Sequence, residues 1–103
     1  MSKEALFNIL NNHFNFAELK VLDLFAGTGN ISFEFASRGS EPIISVDADY
    51  GCISFIKKTT DEFEFNITAI KSDVFKFLEK TKYYILNQNQ IFRSIKALTQ
   101  HDV

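Results

Sequence analysis

A short apolar run that ends on two closely spaced glycines constrains this chain more than any other feature: Lys20-Val-Leu-Asp-Leu-Phe25, followed by Ala26-Gly-Thr-Gly29. A run of that length bounded by turn residues reads as a buried strand. The glycines read as the tight reversal after it, because glycine enters left-handed backbone without a steric penalty. Beyond the turn the apolar period changes from two to nearly four. A helix is expected over Ile31 to Ser37, supported by the Glu34/Arg38 pair at i,i+4, with Gly39 where a left-handed C-terminal cap is wanted. Pro42 then opens a strand, Ile43-Ile-Ser-Val-Asp47, since proline is tolerated as a first strand residue.

The alternation continues to about Lys80. A helix from about Tyr50 to Glu62 leads into a strand Asn66-Ile-Thr-Ala-Ile70, and Asp73 is placed to cap a short helix from Val74 to Lys80. Ahead of the first strand, Ser2 can cap a helix running from Lys3 to about Asn12, with Ala5, Leu6, Ile9 and Leu10 as its apolar stripe. Strands alternating with helices specify an α/β fold of the Rossmann-like kind: a parallel sheet of three to four strands, helices on both faces, right-handed crossovers.

Length and composition bound the rest. At 103 residues the chain is one domain at most, and with 46% apolar residues, twelve Phe among them, it has ample material for a core. No apolar run reaches the roughly 18 residues of a membrane span, and the N-terminus lacks the basic-then-apolar order of a signal peptide. A cytoplasmic location without membrane contact is the expectation. The single cysteine, Cys52, excludes an internal disulfide and any cysteine-based zinc site. The net charge of −2 conceals an asymmetry: residues 1–70 carry five Lys or Arg against ten acids, and residues 71–100 carry six against two. The basic stretch could face a polyanion, although a solvated lysine face explains the same spacing.

Ligands of open α/β sheets bind beyond the carboxyl ends of the strands, and those ends carry Asp23, Asp47 and Asp73. Asp47 lies twenty residues after Gly27, the position from which a carboxylate accepts both hydroxyls of an adenosine ribose. Asp73 could accept from an adenine amine while the Val74 amide donates to the ring. Two cofactor types use such a site. A dinucleotide fingerprint places a third glycine three positions after the second, and here that position is Ser32. It also needs an anion site for phosphate. S-adenosyl-L-methionine has a sulfonium and an ammonium instead, so an acid at the turn, Asp23, is the better match.

The residues are also specific enough for a resemblance. Glu4-Ala-Leu-Phe-Asn-Ile-Leu10, Val21-Leu-Asp-Leu-Phe-Ala-Gly-Thr-Gly29 and Phe35-Ala-Ser-Arg-Gly39 resemble the bacterial 16S ribosomal RNA guanine-N2 methyltransferases, which are class I S-adenosylmethionine-dependent enzymes. The likeness runs over about residues 3–80. It implies methyl transfer to the exocyclic amine of a guanine in small-subunit RNA, with 16S rRNA or the small ribosomal subunit as partner. It places Asp23, Ala26, Gly27 and Gly29 around the methionine part, Asp47 at the ribose and Asp73 with Val74 at the adenine, with Phe25, Thr28 and Ala48 as further cofactor-binding residues.

The departure from that family is as informative. Its fourth strand ends in Asp/Asn-Pro-Pro-Tyr, whose oxygens receive the target amine's hydrogens and whose ring stacks on the extruded base. This chain contains one proline, Pro42, so that motif is absent from it. A strand candidate, Tyr83-Tyr-Ile-Leu86, starts where the fourth strand should and continues into Asn-Gln-Asn-Gln90 and a lysine-flanked tail. The expected organisation is a cofactor-binding half over residues 1–82 and a divergent or frameshifted tail over 83–103, a truncated methyltransferase fold. Three functional classes follow: an rRNA methyltransferase by descent whose product binds cofactor weakly or not at all and shows no turnover, a non-catalytic cofactor-binding or dimerising module, and an amino-group methyltransferase of another family. Self-association through an open sheet edge is expected of such a chain. No catalytic residue is assigned. His13 and His101 read as surface residues, Cys52 as a packing residue beside Ile53, Phe55 and Ile56, and Tyr83 and Tyr84 as sheet-face aromatics.

Overall fold

The computed structural model describes residues 2–79 and 93–94. The element order is α1 (Lys3–His13), a 3-10 turn (Phe16–Glu18), β1 (Val21–Leu24), α2 (Asn30–Ser37), β2 (Ile43–Asp47), α3 (Tyr50–Phe63), β3 (Ile67–Lys71), a helix over residues 74–79, and β4 (Arg93–Ser94). Among the described residues all strand pairs are parallel, and the order across the sheet is β3-β2-β1-β4. The Rossmann-like α/β expectation is therefore met. The strand beside β1 is Arg93–Ser94, later in the chain than the expected Tyr83–Leu86, which lies outside the described residues.

Local chemistry sets most of the boundaries. The Ser2 side chain accepts from the Ala5 amide at 3.1 Å and starts α1. Asp49 accepts from the Cys52 amide at 2.8 Å and starts α3. Gly39, at φ 94°, lets its amide turn back onto the Ala36 carbonyl and ends α2. The expected Glu34/Arg38 pair forms at 3.2 Å across one helical turn. On β1 and β2 consecutive side chains alternate between two cores. Val21 and Ile43 pack with α1, α2 and α3 on one face, among Phe7, Phe35, Ile53 and Ile56. Leu22, Leu24 and Val46 pack on the other face against Val74 and Phe77 of the helix over residues 74–79. A parallel sheet covered on both faces buries nearly every strand side chain, and β1 is buried throughout.

Three expectations are corrected. The buried side of α1 is Leu6, Phe7 and Leu10, with Ala5 and Ile9 facing solvent. Phe7 wins that place because it enters a three-ring cluster, 5.8 Å from Phe16 and 4.7 Å from Phe35 between centroids, a gain that the smaller Ile9 cannot match. The Arg38 guanidinium lies 4.9 Å over the Phe7 ring and closes the cluster from outside. Phe55, expected as a packing neighbour of Cys52, is about half exposed, at 49%, while Ile53 and Ile56 carry the helix's contact. Phe25 does not extend β1: at φ 57° it already belongs to the turn.

Candidate functional site

The site is built where β1 and β2 end side by side. The Ala26 amide donates to the Val46 carbonyl at 2.9 Å, one last rung before the chain reverses. The reversal uses three left-handed residues, Phe25, Gly27 and Gly29, at φ 57°, 59° and 88°. Asp47 locks it in place, its Oδ2 accepting from the Gly27 amide at 2.8 Å and its Oδ1 from the Asp49 amide at 2.9 Å. One carboxylate thus joins the turn after β1 to the start of α3. Each of its oxygens keeps a second acceptor site, so hydroxyl donors can still reach it.

The two turn glycines differ in purpose. A Cβ on Gly27 would meet nothing within 4 Å, so that backbone faces open space that a ligand can enter. A Cβ on Gly29 would stand 3.0 Å from Ile56 Cγ1 and 3.0 Å from Phe33 Cε2, so that glycine permits α2 to pack on α3. Thr28 is exposed and Ala26 buried. Gly29 is also the N-cap of α2 and supplies no side-chain cap. The first-turn amides of α2 therefore open toward the turn without a capping oxygen, the arrangement that favours a carboxylate ligand. The glycine amides themselves are engaged elsewhere: that of Gly27 is held by Asp47, and that of Gly29 donates to the Ala26 carbonyl at 3.0 Å.

Asp23 lies beneath this turn, fully buried. Its Oδ2 accepts from the Ser32 hydroxyl at 2.7 Å, and Ser32 in turn meets the Ser45 hydroxyl at 2.5 Å. All three side chains have zero exposure, so one carboxylate and two hydroxyls tie β1, α2 and β2 together from inside. Sequence reasoning does not single out either serine as part of a network. The available signal is a small polar residue interrupting an apolar stretch on each of two elements: Ser32 between Ile31 and Phe33, Ser45 between Ile44 and Val46.

Asp73 is exposed and caps the helix over residues 74–79, accepting from the Lys76 amide at 3.0 Å, while Val74 is buried beside it. Ala48 is exposed between Asp47 and Asp49. The structure therefore brings the turn and the Asp47 corner into direct contact, and sets Asp73 at the end of the neighbouring strand, where the Ser72 amide donates to the Asp47 carbonyl at 3.0 Å. Asp49 is held below the usual carboxylate range, first by the Cys52 amide that donates to it. Cys52 is pushed above its ordinary thiol value, chiefly by its own hydrogen bond to Asp49. His13 is exposed at the end of α1, and His101, Tyr83 and Tyr84 lie outside the described residues. Among the described residues no group of His, Cys, Asp and Glu is disposed to hold a metal ion, and no helix is long and apolar enough to cross a membrane.

Known proteins resemble this chain in architecture and in sequence. "Putative rRNA methyltransferase YlbH" of Bacillus subtilis is 31% identical over 100 residues, which is 97% of this chain and 45% of that protein. The chain thus spans less than half the length of this curated relative. The crystal structure of an S-adenosylmethionine-dependent methyltransferase from Agrobacterium tumefaciens superposes with a TM-score of 0.65 at 29% identity, over 80% of this chain and 28% of that one. The solved structure of "Putative methyltransferase yhhF" from Escherichia coli gives a TM-score of 0.68 at 26% identity, over 74% of this chain and 42% of that one. Over residues 1–93 the sequence matches the family described as conserved hypothetical protein 95, and the chain belongs to that family.

Proposed function

We propose that this chain is the cofactor-binding half of an S-adenosyl-L-methionine-dependent rRNA methyltransferase whose target is the exocyclic N2 of a guanine in 16S rRNA. The observation that carries the reading is the Asp47–Gly27 hydrogen bond at 2.8 Å, which fixes an acid-ended strand against a turn with open space above its first glycine. A nucleoside fits that corner: ribose hydroxyls on the remaining acceptor sites of Asp47, adenine beside Ala48, Asp73 and Val74. The methionine part lies along Phe25, Ala26, Gly27, Thr28 and Gly29, its carboxylate toward the first turn of α2. Asp23, buried under the turn, holds the start of α2 from inside through Ser32 and so fixes the backbone that the ligand meets.

The bound cofactor supplies an activated methyl group; the residues of this chain bind and orient it. The sequence holds one proline, so the Asp/Asn-Pro-Pro-Tyr oxygens that receive the amine's hydrogens in the family are not supplied here. The chain alone accordingly binds cofactor and transfers nothing. The RNA partner is small-subunit rRNA in the cytoplasm, in keeping with the rRNA methyltransferase name of the Bacillus subtilis relative. Self-association belongs to the same proposal, because among the described residues both β3 and β4 have a strand on one side only.

A thermal-shift panel tests the cofactor choice. S-adenosylhomocysteine should raise the melting temperature and NAD should leave it unchanged; the reverse order would contradict the reading. Incubation with tritiated S-adenosylmethionine and immature small subunits should leave the RNA unlabelled, and label in N2-methylguanine would refute the claim of no turnover.

A further inference from the structure

Among the described residues β3 is an edge strand without the usual protection. It pairs with β2 in unbroken register from Ile67 to Lys71, and its other side meets no strand. Edge strands are ordinarily blunted by proline, by a bulge or by charge along their length, and Ile67-Thr-Ala-Ile70 has none of these. The charges flanking β3 are complementary. α3 ends in Asp61, Glu62 and, at its cap, Glu64, with no basic residue in its last turn, although a helix C-terminus favours cations. Lys71 stands at the far end of β3, about 20 Å of extended chain away from Phe65. Among the described residues neither these acids nor Lys71 forms an ion pair. The acidic end also carries an apolar floor, because Phe63, 62% exposed, stacks on the half-buried Phe65 at 5.8 Å.

We propose that two copies of this chain pair antiparallel along β3, about a two-fold axis at Thr68, with Lys71 of each copy seated at the acidic end of α3 in the other. This rests on the self-association reading given above and names its edge and register. Antiparallel pairing brings together two strand ends that one copy keeps apart. Centring on Thr68 sets Lys71 opposite Phe65, and Ile67 opposite Ala69, of the other copy. Phe65, Ile67 and Ala69 all pack on the sheet face that α3 covers, and alternation puts Lys71 on that face too. The lysine stem then lies on Phe65 and its ammonium reaches Glu64. A slip of one residue would turn the other copy's helices to the opposite face, away from the lysine. At the axis the exposed Thr68 meets its own equivalent, a pair that antiparallel strands favour. Because the same edge serves both copies, the assembly closes as a dimer.

Sedimentation equilibrium of the parent should show a monomer and a dimer in exchange. Thr68→Lys sets two like charges directly opposite each other at an exposed position, so it should leave monomer with the parent's melting temperature. Lys71→Glu should raise the dimer Kd about tenfold, since the two-fold repeats the repulsion, and the double Lys71→Glu, Glu64→Lys variant should restore it. In a Cys52→Ser background, Thr68→Cys should oxidise to a disulfide-linked dimer, and Ser94→Cys, on β4, should not. Cross-linking at position 94 and not at 68, or a Thr68→Lys protein that associates like the parent, overturns the β3 seam and leaves self-association intact. A Lys71→Glu protein with the parent's Kd overturns the register and the seating of the lysine. A parent chain that stays monomeric at every concentration overturns both the seam and the self-association reading.

Discussion

Single substitutions separate what holds the turn from what the turn holds. Gly29→Ala must accommodate a Cβ 3.0 Å from Ile56 and Phe33 at a φ of 88°, so strain and overpacking add to about 3 kcal/mol in urea unfolding. Gly27→Ala carries the backbone strain alone, about 1 kcal/mol, yet places a methyl group in the open space assigned to ligand, so binding falls more than stability. Ser32→Ala takes a donor from the buried Asp23 carboxylate and should cost about 2 kcal/mol. Because Ser32 also meets Ser45, the double Ser32→Ala, Ser45→Ala variant should cost less than the sum of the singles. The acids near the strand ends are legible in the sequence from their place after apolar runs, although each also has a structural use, Asp73 as a helix cap and Asp47 as the lock of the turn. The burial of Asp23 is not: it depends on Ser32 and Ser45 arriving from two other elements, and their pairing is a property of the packed sheet.

Elements are legible wherever a local rule fixes them, and boundaries move where tertiary contacts decide. Ser2, Asp49 and Asp73 each accept from a first-turn amide, and Gly39 ends α2 at a positive φ as its residue type requires. The apolar face of α1 lies about one position away from the periodic expectation, since Ala5 and Ile9 fit the helical period as well as Phe7 does. Only the Phe7, Phe16 and Phe35 rings settle the difference. The cap of α3 gives a pH dependence. Asp49 is depressed below its ordinary value of 3.8, so its contribution is complete above that value and fades as the pH falls through the lowered one. Asp49→Asn should flatten this acid limb of a urea-unfolding series, and an unchanged limb would contradict the cap assignment. The same change relieves Cys52, whose thiol Asp49 holds above its ordinary 9.0, so iodoacetamide should alkylate the Asp49→Asn variant faster than the parent near pH 8.

At the scale of the whole molecule the alternation of periods carries the fold, because a parallel sheet needs helical crossovers and these leave a long, repeated signature. The order β3-β2-β1-β4 has that logic: successive crossovers step outward from β1 on one side, and the described strand on its other side comes from Arg93–Ser94. The short pairing of β4 gives no comparable signal in sequence, since two residues cannot display a period. Light scattering across a concentration series should show species larger than a monomer, and a monodisperse monomer throughout would count against association through a sheet edge. The central claim is that Asp47 and the Gly27 turn hold a methyl-donor cofactor, and calorimetric titration with S-adenosylhomocysteine tests it most directly. Saturable heat with one site per chain, lost in Asp47→Ala, is the predicted result; no heat at millimolar ligand, or undiminished heat with Asp47→Ala, would contradict it.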